Sequence, residues 1–539
     1  MLLTNAKIII NIEYTMKTNP VFSLSNFRSF LGRVDFELAP LTLLIGCNSA
    51  GKSSLVKALM LLAGNLTGRS VCSGIWNVYY EPSINLRASS WALKLGGFRN
   101  VVSTMSKEGT IELSYRMWSS FLNEEVVCKR TYSERRGVTS DGKLDCFSIE
   151  KINGKVICKA SLEVFSDGFG NPYDSLVPED FNFSGVEDNY NRFITAFGYR
   201  HFARCVSMCD KNSDYYVQVQ EGLRKGQESL RKYNMSIDDA NEFDKNTLQL
   251  FWDKLFPVEE DNMTRYLREN LAEEKKEDRK KDIYISCVIN EIVSPWFIRD
   301  LSFVDSTTNK IDRVYNVEDN DKFSRLLCKL VNQANFDLYC TGDFVNKWLK
   351  EFGIGDKLVI EGTEEGYGVK IYVDNKGEKR LLADEGYGIT QLASLLLQID
   401  ILKNKYRHEF FDGCKESVEY LPSFISIEEP EVHLHPKYQS MLADLFVEAY
   451  QEYNIHFLIE THSEYMIRKL QVLVADKECT LQPEDVSLNY VEKEENGASF
   501  NRQIIIRENG DLCEPFGAGF FDEADNLAIQ LFRKKPILL

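Results

Sequence analysis

Long apolar runs are what this sequence most clearly lacks. No stretch approaches the roughly 20 apolar residues that a membrane-spanning helix needs. Near the N-terminus only Ile8, Ile9 and Ile10 stand together, too short a run for a signal-peptide core. The 13 cysteines are odd in number and scattered, and they form no C-x-x-C pair, so the pattern indicates neither a disulfide framework nor a zinc motif. These absences predict a cytoplasmic protein with reduced cysteines and no membrane partner.

An excess of basic residues is also missing. The 539 residues include 64 Lys and Arg against 81 Asp and Glu, which gives a net charge of −17. This charge argues against a protein that coats nucleic acid with its whole surface. Local contact with DNA or RNA stays open, because a total charge hides basic patches. The length exceeds a single core and predicts about two to four domains.

The most informative stretch that is present is a glycine loop, Gly46 to Ser53, which reads Gly-Cys-Asn-Ser-Ala-Gly-Lys-Ser. It follows an apolar run at 41–45 and precedes a helical pattern at 54–62, so it matches G-x-x-x-x-G-K-[ST] in its strand–loop–helix context. Backbone N–H groups and the helix N-terminus would bind phosphates, Lys52 would reach the β- and γ-phosphates, and Ser53 would bind Mg²⁺. The loop predicts a nucleotide site; an ordinary glycine turn is the alternative.

Two carboxylates follow a second apolar strand pattern. The segment 424–436 reads Phe-Ile-Ser-Ile-Glu-Glu-Pro-Glu-Val-His-Leu-His-Pro, and Glu428 and Glu429 stand at the strand's carboxyl end. Ligands bind at that edge of an open parallel sheet. Glu428 would hold Mg²⁺ through water, and Glu429 would orient and deprotonate the attacking water. Acids that only close a strand are the alternative. His433 and His435 suggest a zinc site or structural roles, and their spacing favours structural roles.

A third apolar strand pattern, at 455–460, is followed by Thr461-His462-Ser463. His462 therefore stands at a strand end, one strand after the carboxylates. This position makes it a candidate to contact the γ-phosphate, although a lone histidine is ordinarily a packing residue.

A glycine-containing segment, 384–391, reads Asp-Glu-Gly-Tyr-Gly-Ile-Thr-Gln and leads into an apolar helix at 392–402. Gly386 and Gly388 stand just ahead of that helix, where free backbone N–H groups can bind an anion. An ordinary helix start explains the segment equally well.

The chain changes character along its length, and five regions are predicted. These are a lead-in at 1–19, an N-terminal lobe with the glycine loop at 20–186, a mainly helical insertion at 187–350, a C-terminal lobe at 351–480 and a docking tail at 481–539. The insertion contains a mixed-charge run at 273–281, which is typical of a solvated helix face and less so of a basic contact surface. Its heptad pattern is not sustained, so no long coiled coil is predicted.

Together these motifs resemble a known family. The glycine loop, the glycine-containing segment before a helix, Glu-Glu-Pro-Glu-x-His-Leu-His-Pro and Glu-Thr-His-Ser occur in the order of ABC-type ATPase heads of the structural-maintenance, RecF and overcoming-lysogenization-defect group. The Gly-Phe-Phe-Asp-Glu tail further resembles stand-alone AAA-type ATPases of bacterial antiphage defence, of which the Septu-type ATPases are the most similar. The resemblance implies an α/β fold: a P-loop ATPase head with a helical insertion between Walker A and the signature segment.

The resemblance also implies roles for individual residues. ATP and Mg²⁺ would be the cofactors, Lys52, Glu429 and His462 would be catalytic, and Ser53 and Glu428 would hold the metal. Segment 384–391 would be the signature, closing on ATP held by the opposite subunit of a head-to-head dimer. The signature departs from Leu-Ser-Gly-Gly, and Glu428 stands where many heads have Asp, so slow hydrolysis is expected. The implied ATP-binding residues are Gly46, Asn48, Ser49, Ala50, Gly51, Lys52, Ser53, Ser54, Gly386 and Gly388.

The expected function follows from this family. Septu-type ATPases control an HNH endonuclease, and a retron-borne version would add a reverse transcriptase and its DNA product. A self-contained overcoming-lysogenization-defect nuclease is an alternative, but no Asp-x-Asp follows Ser463. A RecF-like repair ATPase is another, and a transporter ATPase is the least favoured because a long insertion separates Lys52 from Glu428. The sequence therefore predicts an ATPase that regulates a separate nuclease.

Overall fold

The computed structural model describes most of the two lobes and part of the region between them. The described residues are 18–66, 83–85, 95, 97–134, 141–166, 172–179, 182, 186–208, 214–241, 273–293, 295–299, 301–304, 312–316, 324, 327–328, 338–363, 368–403, 406–409, 417–420, 422–517 and 520–534. The predicted lead-in therefore lies almost wholly outside the described residues.

The strands, numbered in chain order, are longest between residues 110 and 166. They are β1 (Val21–Ser25), β2 (Arg33–Glu37), β3 (Leu41–Gly46), β4 (Ser83–Asn85), β5 (Thr110–Ser119), β6 (Glu124–Glu134), β7 (Asp141–Lys151), β8 (Val156–Ser166), β9 (Pro172–Glu179), β10 (Leu301–Val304), β11 (Tyr315–Asn316), β12 (Leu338–Cys340), β13 (Lys357–Gly362), β14 (Gly368–Asn375), β15 (Glu378–Leu381), β16 (Tyr406–Glu409), β17 (Ser417–Tyr420), β18 (Ser423–Glu428), β19 (Ile455–Glu460), β20 (Val486–Lys493) and β21 (Ser499–Ile504).

The α-helices cluster in the region between the lobes and in the C-terminal lobe. They are α1 (Lys52–Leu66), α2 (Glu187–Met208), α3 (Asp214–Lys232), α4 (Ile237–Asn241), α5 (Glu273–Val293), α6 (Trp296–Arg299), α7 (Asp343–Glu351), α8 (Tyr387–Leu402), α9 (Pro436–Tyr453), α10 (Glu464–Ala475) and α11 (Glu523–Lys534). With the strands, they confirm the predicted α/β fold class.

A six-stranded sheet lies at the centre, in the order β10-β18-β19-β3-β20-β21. The first five strands are parallel, and β21 pairs antiparallel with β20. The strands β3, β18 and β19 are almost continuously apolar because both faces of the sheet are covered. Leu44 and Leu458 pack into one core, whereas Leu43 and Ile459 pack into the other.

Different layers cover the two faces of this central sheet. On one face α1 packs with a long antiparallel sheet in which β2, β1, β5, β6, β7, β8 and β9 follow one another, while β4 pairs with β7. The alternating burial of β6 is what a sheet with one covered face requires. On the other face α8, α9 and α10 pack with the small sheet of β11–β15. The strands that end near the glycine loop are therefore packed on both faces.

Two strands of the central sheet come from the ranges predicted as the helical insertion and the docking tail. In the range predicted as a helical insertion, α2 to α6 are helical, but β10 pairs in parallel with β18 at the edge of the central sheet. In the range predicted as a docking tail, β20 pairs in parallel with the glycine-loop strand β3. Patterns of apolar residues indicate that a strand exists but not which strand it pairs with, so neither membership follows from the sequence.

Candidate nucleotide-binding site

The glycine loop connects β3 to α1 in a conformation that leaves its tip open. Gly46 and Gly51 have φ values of 144° and 113°, and Ser49 between them has a φ of 63°. A Cβ at Gly46 would lie 2.2 Å from the Val491 carbonyl oxygen, and one at Gly51 would lie 2.6 Å from Ser29 Oγ. Both glycines are thus required by backbone conformation and by close packing. The tip at 47–49, which includes the predicted ligands Asn48 and Ser49, is exposed to solvent.

Lys52, the first residue of α1, is buried and folded back over the loop. Its Nζ donates hydrogen bonds to the carbonyl oxygens of Gly46 at 3.0 Å and Cys47 at 3.2 Å. It also lies 3.1 Å from Nε2 of His462. An ammonium group has only hydrogens to offer, so Nε2 of His462 accepts and this ring is neutral with its proton on Nδ1. The structure therefore brings two of the three predicted catalytic residues into direct contact.

Ser53 contacts an acidic residue to which the sequence analysis gave no role. The Ser53 hydroxyl donates to Glu460, with oxygen–oxygen distances of 2.8 and 3.1 Å, and Lys52 Nζ lies 3.8 Å from the same carboxylate. Burial raises the pKa of Glu460, and the Ser53 hydrogen bond and Lys52 partly offset that rise. Glu460 ends an apolar strand just as Glu428 does. That shared pattern was the sequence signal that could have identified it.

The predicted acidic pair lies at the end of β18, beside β19. Glu428 is in register with Glu460, so these two carboxylates end neighbouring parallel strands. Glu429 follows with a φ of 43°, which turns the chain out of the strand, and its N–H donates to the Glu460 carbonyl oxygen at 2.7 Å. Its carboxylate lies 3.9 Å from Nε2 of His462. Glu429 is thus placed at the mouth of the site, where a water molecule can reach it.

His462 is fixed by its neighbours in the turn between β19 and α10. Its N–H donates to a carboxylate oxygen of Glu431 at 2.6 Å, and the following Ser463 caps α10 by accepting from the Met466 N–H. Burial and the nearby Lys52 charge lower the pKa of His462, while Glu429 opposes this shift. Glu431 is a second residue that the sequence analysis did not single out. It acts on the site by holding His462 in place.

The predicted signature segment lies beside the loop that follows the acidic pair. Gly386 caps the exposed N-terminus of α8, and a Cβ there would meet no atom within 4 Å. A Cβ at Gly388 would lie 3.2 Å from the His433 carbonyl oxygen, so this glycine allows a close approach. Gln391 donates from Nε2 to the Glu429 carbonyl oxygen at 3.2 Å. The segment thus presents an open helix N-terminus and contacts the backbone of Glu429 and His433.

The two histidines after the acidic pair have local structural contacts. His435 caps α9 by accepting a hydrogen bond from the Lys437 N–H at 3.3 Å. The His433 ring packs edge-on against Tyr387, with 4.9 Å between ring centroids. These contacts agree with the structural roles that the spacing favoured over a zinc site.

An aromatic cluster, formed by Tyr490, Phe516, Phe520 and Phe521, lies next to the glycine loop. Phe520 packs against Tyr490 at 5.2 Å and against Phe521 at 4.5 Å between ring centroids. The ring of Phe520 also lies 6.5 Å from the ring of His462. Gly517 approaches Tyr490 so closely that a Cβ would lie 2.7 Å from its hydroxyl. The Phe-Phe-Asp-Glu tail therefore reaches the site itself.

These residues fit ATP and Mg²⁺. The exposed loop tip leaves room for phosphates, and Lys52 supplies a cation that could exchange backbone carbonyls for phosphate oxygens. Ser53, Glu428 and Glu460 supply oxygen ligands, which Mg²⁺ prefers. When bound, the metal would neutralise charge on the phosphates. Ala50 and Ser54 are buried behind the loop and contribute its backbone.

Comparisons with known proteins identify the family of this chain. The family model for the AAA ATPase domain matches residues 16–467, so the chain belongs to the AAA ATPase domain family and the predicted ATPase is confirmed at that level. A second model, a protein family of unknown function, matches residues 481–531. A search of curated proteins found no match. None of the helices in the described ranges is long and apolar enough to cross a membrane.

Several solved structures are similar to the chain. The Smc head domain with an extended coiled coil from Pyrococcus furiosus, bound to the C-terminal domain of ScpA, has 12% identity and a TM-score of 0.35, and the match covers 96% of this chain and 100% of that one. The SMC head domain from Thermotoga maritima has 12% identity and a TM-score of 0.32, with 90% and 98% covered. Both TM-scores are low, and the family assignment rests on the family model.

Proposed function

We propose that this AAA-family ATPase is the regulatory and sensor subunit of a bacterial antiphage defence complex. Two copies dimerise head-to-head around ATP, each signature segment closing on the nucleotide of the other copy. The complex controls a separate HNH endonuclease, as in the Septu-type systems that the motifs resemble. A retron-borne version would also hold a reverse transcriptase and its DNA product. The nuclease chemistry belongs to the partner, and the protein works in the cytoplasm.

The contact between the aromatic cluster and His462 carries the regulatory part of this proposal. His462 lies between Lys52 and Glu429, and Phe520 lies beside its ring. When Lys52 turns from His462 to the phosphates of ATP, the His462 ring loses this hydrogen bond. A shift of the ring would then move Phe520, which packs beside it. The helix α11 begins two residues after Phe521 and exposes Leu527, Ile529 and Leu531 to solvent. Exposed apolar side chains of this kind mark a protein contact, so α11 is a surface through which the nuclease would sense ATP.

Hydrolysis is assigned to Glu429 as the group that deprotonates the attacking water. Its carboxylate lies at the mouth of the site, 3.9 Å from His462. We expect Glu429→Gln to bind ATP normally and to turn it over about 100-fold more slowly, because the amide cannot accept the proton. The trapped nucleotide should hold the dimer together. ATP turnover and mass by light scattering, with and without ATP, measure both effects.

The matched control is Glu431→Gln, which alters a neighbouring acid whose carboxylate accepts hydrogen bonds from the His462 N–H and from Thr461. It should slow turnover much less than Glu429→Gln. Unchanged turnover in Glu429→Gln would show that another residue activates the water. The defence role is measured separately, by phage plating on cells that carry this gene with its neighbouring gene. The defence role would be contradicted if phage formed plaques equally well on cells with the wild-type gene, on cells with the Glu429→Gln variant and on cells without the gene.

A further inference from the structure

Glu460, at the carboxyl end of β19, is an acidic residue in direct contact with Ser53, which ends the glycine loop. We propose that Glu460 is a direct ligand of the Mg²⁺ that accompanies ATP, adjacent to the Ser53 hydroxyl, while Glu428 acts on the same ion through water. The proposal deepens the ATPase function and rests on the binding of Mg-ATP at the glycine loop. It assigns a metal-binding role to a residue outside the predicted phosphate loop and acidic pair.

The first observation is the spacing of the oxygen atoms. The Ser53 hydroxyl lies 2.8 and 3.1 Å from the two carboxylate oxygens of Glu460. Mg²⁺ binds oxygen at about 2.0–2.1 Å in octahedral geometry, which places neighbouring ligands about 2.9 Å apart. The two side chains therefore already have the separation of adjacent Mg²⁺ ligands. The ion can replace their hydrogen bond once the Ser53 proton rotates away.

The second observation is the charge that surrounds Glu460. Its side chain is 9% exposed, and Lys52 Nζ lies 3.8 Å away. When ATP binds, Lys52 turns towards the phosphates and leaves the carboxylate without this cation. A buried carboxylate without a counter-charge is costly. A divalent ion that arrives with the nucleotide restores the balance, so Lys52 and Mg²⁺ exchange places as partners of Glu460.

The third observation is the strand order. Strand β19, which carries Glu460, pairs directly with the glycine-loop strand β3, whereas β18, which carries Glu428, is one strand further away. Neighbouring strands are about 4.8 Å apart. Because Ser53 already contacts Glu460, that extra strand spacing leaves room for a water molecule between the ion and Glu428. The geometry thus divides the metal site into a direct and a water-mediated carboxylate.

The experiment compares nucleotide binding with and without metal. The affinity of a non-hydrolysable ATP analogue is measured in Mg²⁺ and in EDTA for wild type, Glu460→Gln and Glu428→Gln. The factor by which Mg²⁺ raises the analogue affinity should be about tenfold or more smaller in Glu460→Gln than in wild type. Affinity in EDTA should equal or exceed that of wild type, since a negative charge near the phosphates is gone and Lys52 is released. Glu428→Gln should keep more of the Mg²⁺ gain.

The outcomes distinguish this proposal from the ATPase function on which it rests. If Mg²⁺ raises the analogue affinity of Glu460→Gln as much as that of wild type, the proposal is overturned, although ATP binding itself stands. The same holds if the affinity of the wild-type protein is equal in Mg²⁺ and in EDTA. A wild-type protein that does not bind the analogue contradicts both the ATPase function and this proposal. If Glu460→Gln does not fold, Glu460→Asp keeps the charge but shortens the side chain. It should weaken Mn²⁺ binding in the analogue complex, measured by electron paramagnetic resonance, with EDTA affinity unchanged; wild-type Mn²⁺ affinity would overturn the proposal.

Discussion

Two buried cations in this protein, Arg130 and Lys52, have partners of different kinds. Arg130, on β6, donates to the Tyr115 hydroxyl at 3.1 Å and to the Val293 carbonyl oxygen at 2.9 Å. Val293 is the last residue of α5, so this cation joins the long antiparallel sheet to a helix C-terminus, where positive charge is favourable. Lys52 also contacts backbone carbonyls, but its other partners are His462 and Glu460.

This difference separates a structural charge from the charge that we propose binds nucleotide. Nothing that enters from solvent can replace the contacts of Arg130, because they are backbone and hydroxyl groups sealed within the core. The partners of Lys52 lie beside an exposed loop tip, so phosphate and metal can take their places. A buried cation is therefore expected to bind a ligand when the ligand can replace its protein partners. The predictions that follow test this comparison, beginning with the largest effect.

Removing the structural cation should affect folding alone. Arg130→Met removes one of the two donors to the buried Val293 carbonyl and a donor to the Tyr115 hydroxyl, so the free energy of unfolding should fall by about 2–4 kcal/mol. ATP affinity of the folded variant should stay within about twofold of wild type. Denaturant unfolding and analogue binding measure the two quantities.

The neighbouring Lys129 offers a matched control for Arg130. It forms a partly exposed ion pair with Glu150 at 2.7 Å, of a kind that contributes about 0–1 kcal/mol. Lys129→Met should therefore cost much less stability than Arg130→Met. Equal losses in the two variants would refute the structural role given to Arg130.

Removing Lys52, the cation that we propose binds nucleotide, should affect ATP binding more than folding. Lys52→Ala should lower ATP affinity at least about tenfold, because hydrogen bonds to charged groups contribute about 1.5–3 kcal/mol. Its effect on unfolding should be smaller than that of Arg130→Met. Isothermal titration with the analogue measures the affinity, and Lys350→Ala, at an exposed lysine on α7, is the control. Wild-type affinity in Lys52→Ala would show that the glycine loop is not the nucleotide site.

His456 extends the comparison, because it is buried at the opposite end of the strand that carries Glu460. Its Nε2 lies 3.0 Å from Asn454 Oδ1, its ring packs 4.5 Å from Trp296, and burial lowers its pKa to about 3. The unfolded chain takes up a proton below about pH 6.5 while the folded protein does not. Stability should therefore fall as pH decreases from about 6.5 towards 3, by roughly 1 kcal/mol between pH 6 and 5.

The measurement is urea unfolding at several pH values. His456→Phe keeps the aromatic contact with Trp296 but cannot titrate, so its stability should depend less on pH by that amount. A wild-type slope in His456→Phe would mean that other groups cause the acid sensitivity.

The sequence predicted the local structure around its motifs. A phosphate loop needs glycines at fixed positions between a strand and a helix, and the structure places those glycines at φ values of 144° and 113°. The acidic pair stands at the end of β18, and His462 stands just beyond β19, as the apolar strand patterns indicated. These features depend on neighbours within a few residues, where backbone geometry and side-chain size act directly.

Only the tertiary structure decided which distant residues meet. Ser53 and Glu460 are 407 positions apart, and Lys52 and His462 are 410 apart, yet each pair is in contact. The same holds for β10 and β20, whose places in the central sheet depend on pairing with β18 and β3. An apolar pattern fixes which face of a strand is buried but not its partner strand. The sequence alone therefore determined the elements and their motifs, and sheet assembly decided that Glu460 lies beside Ser53.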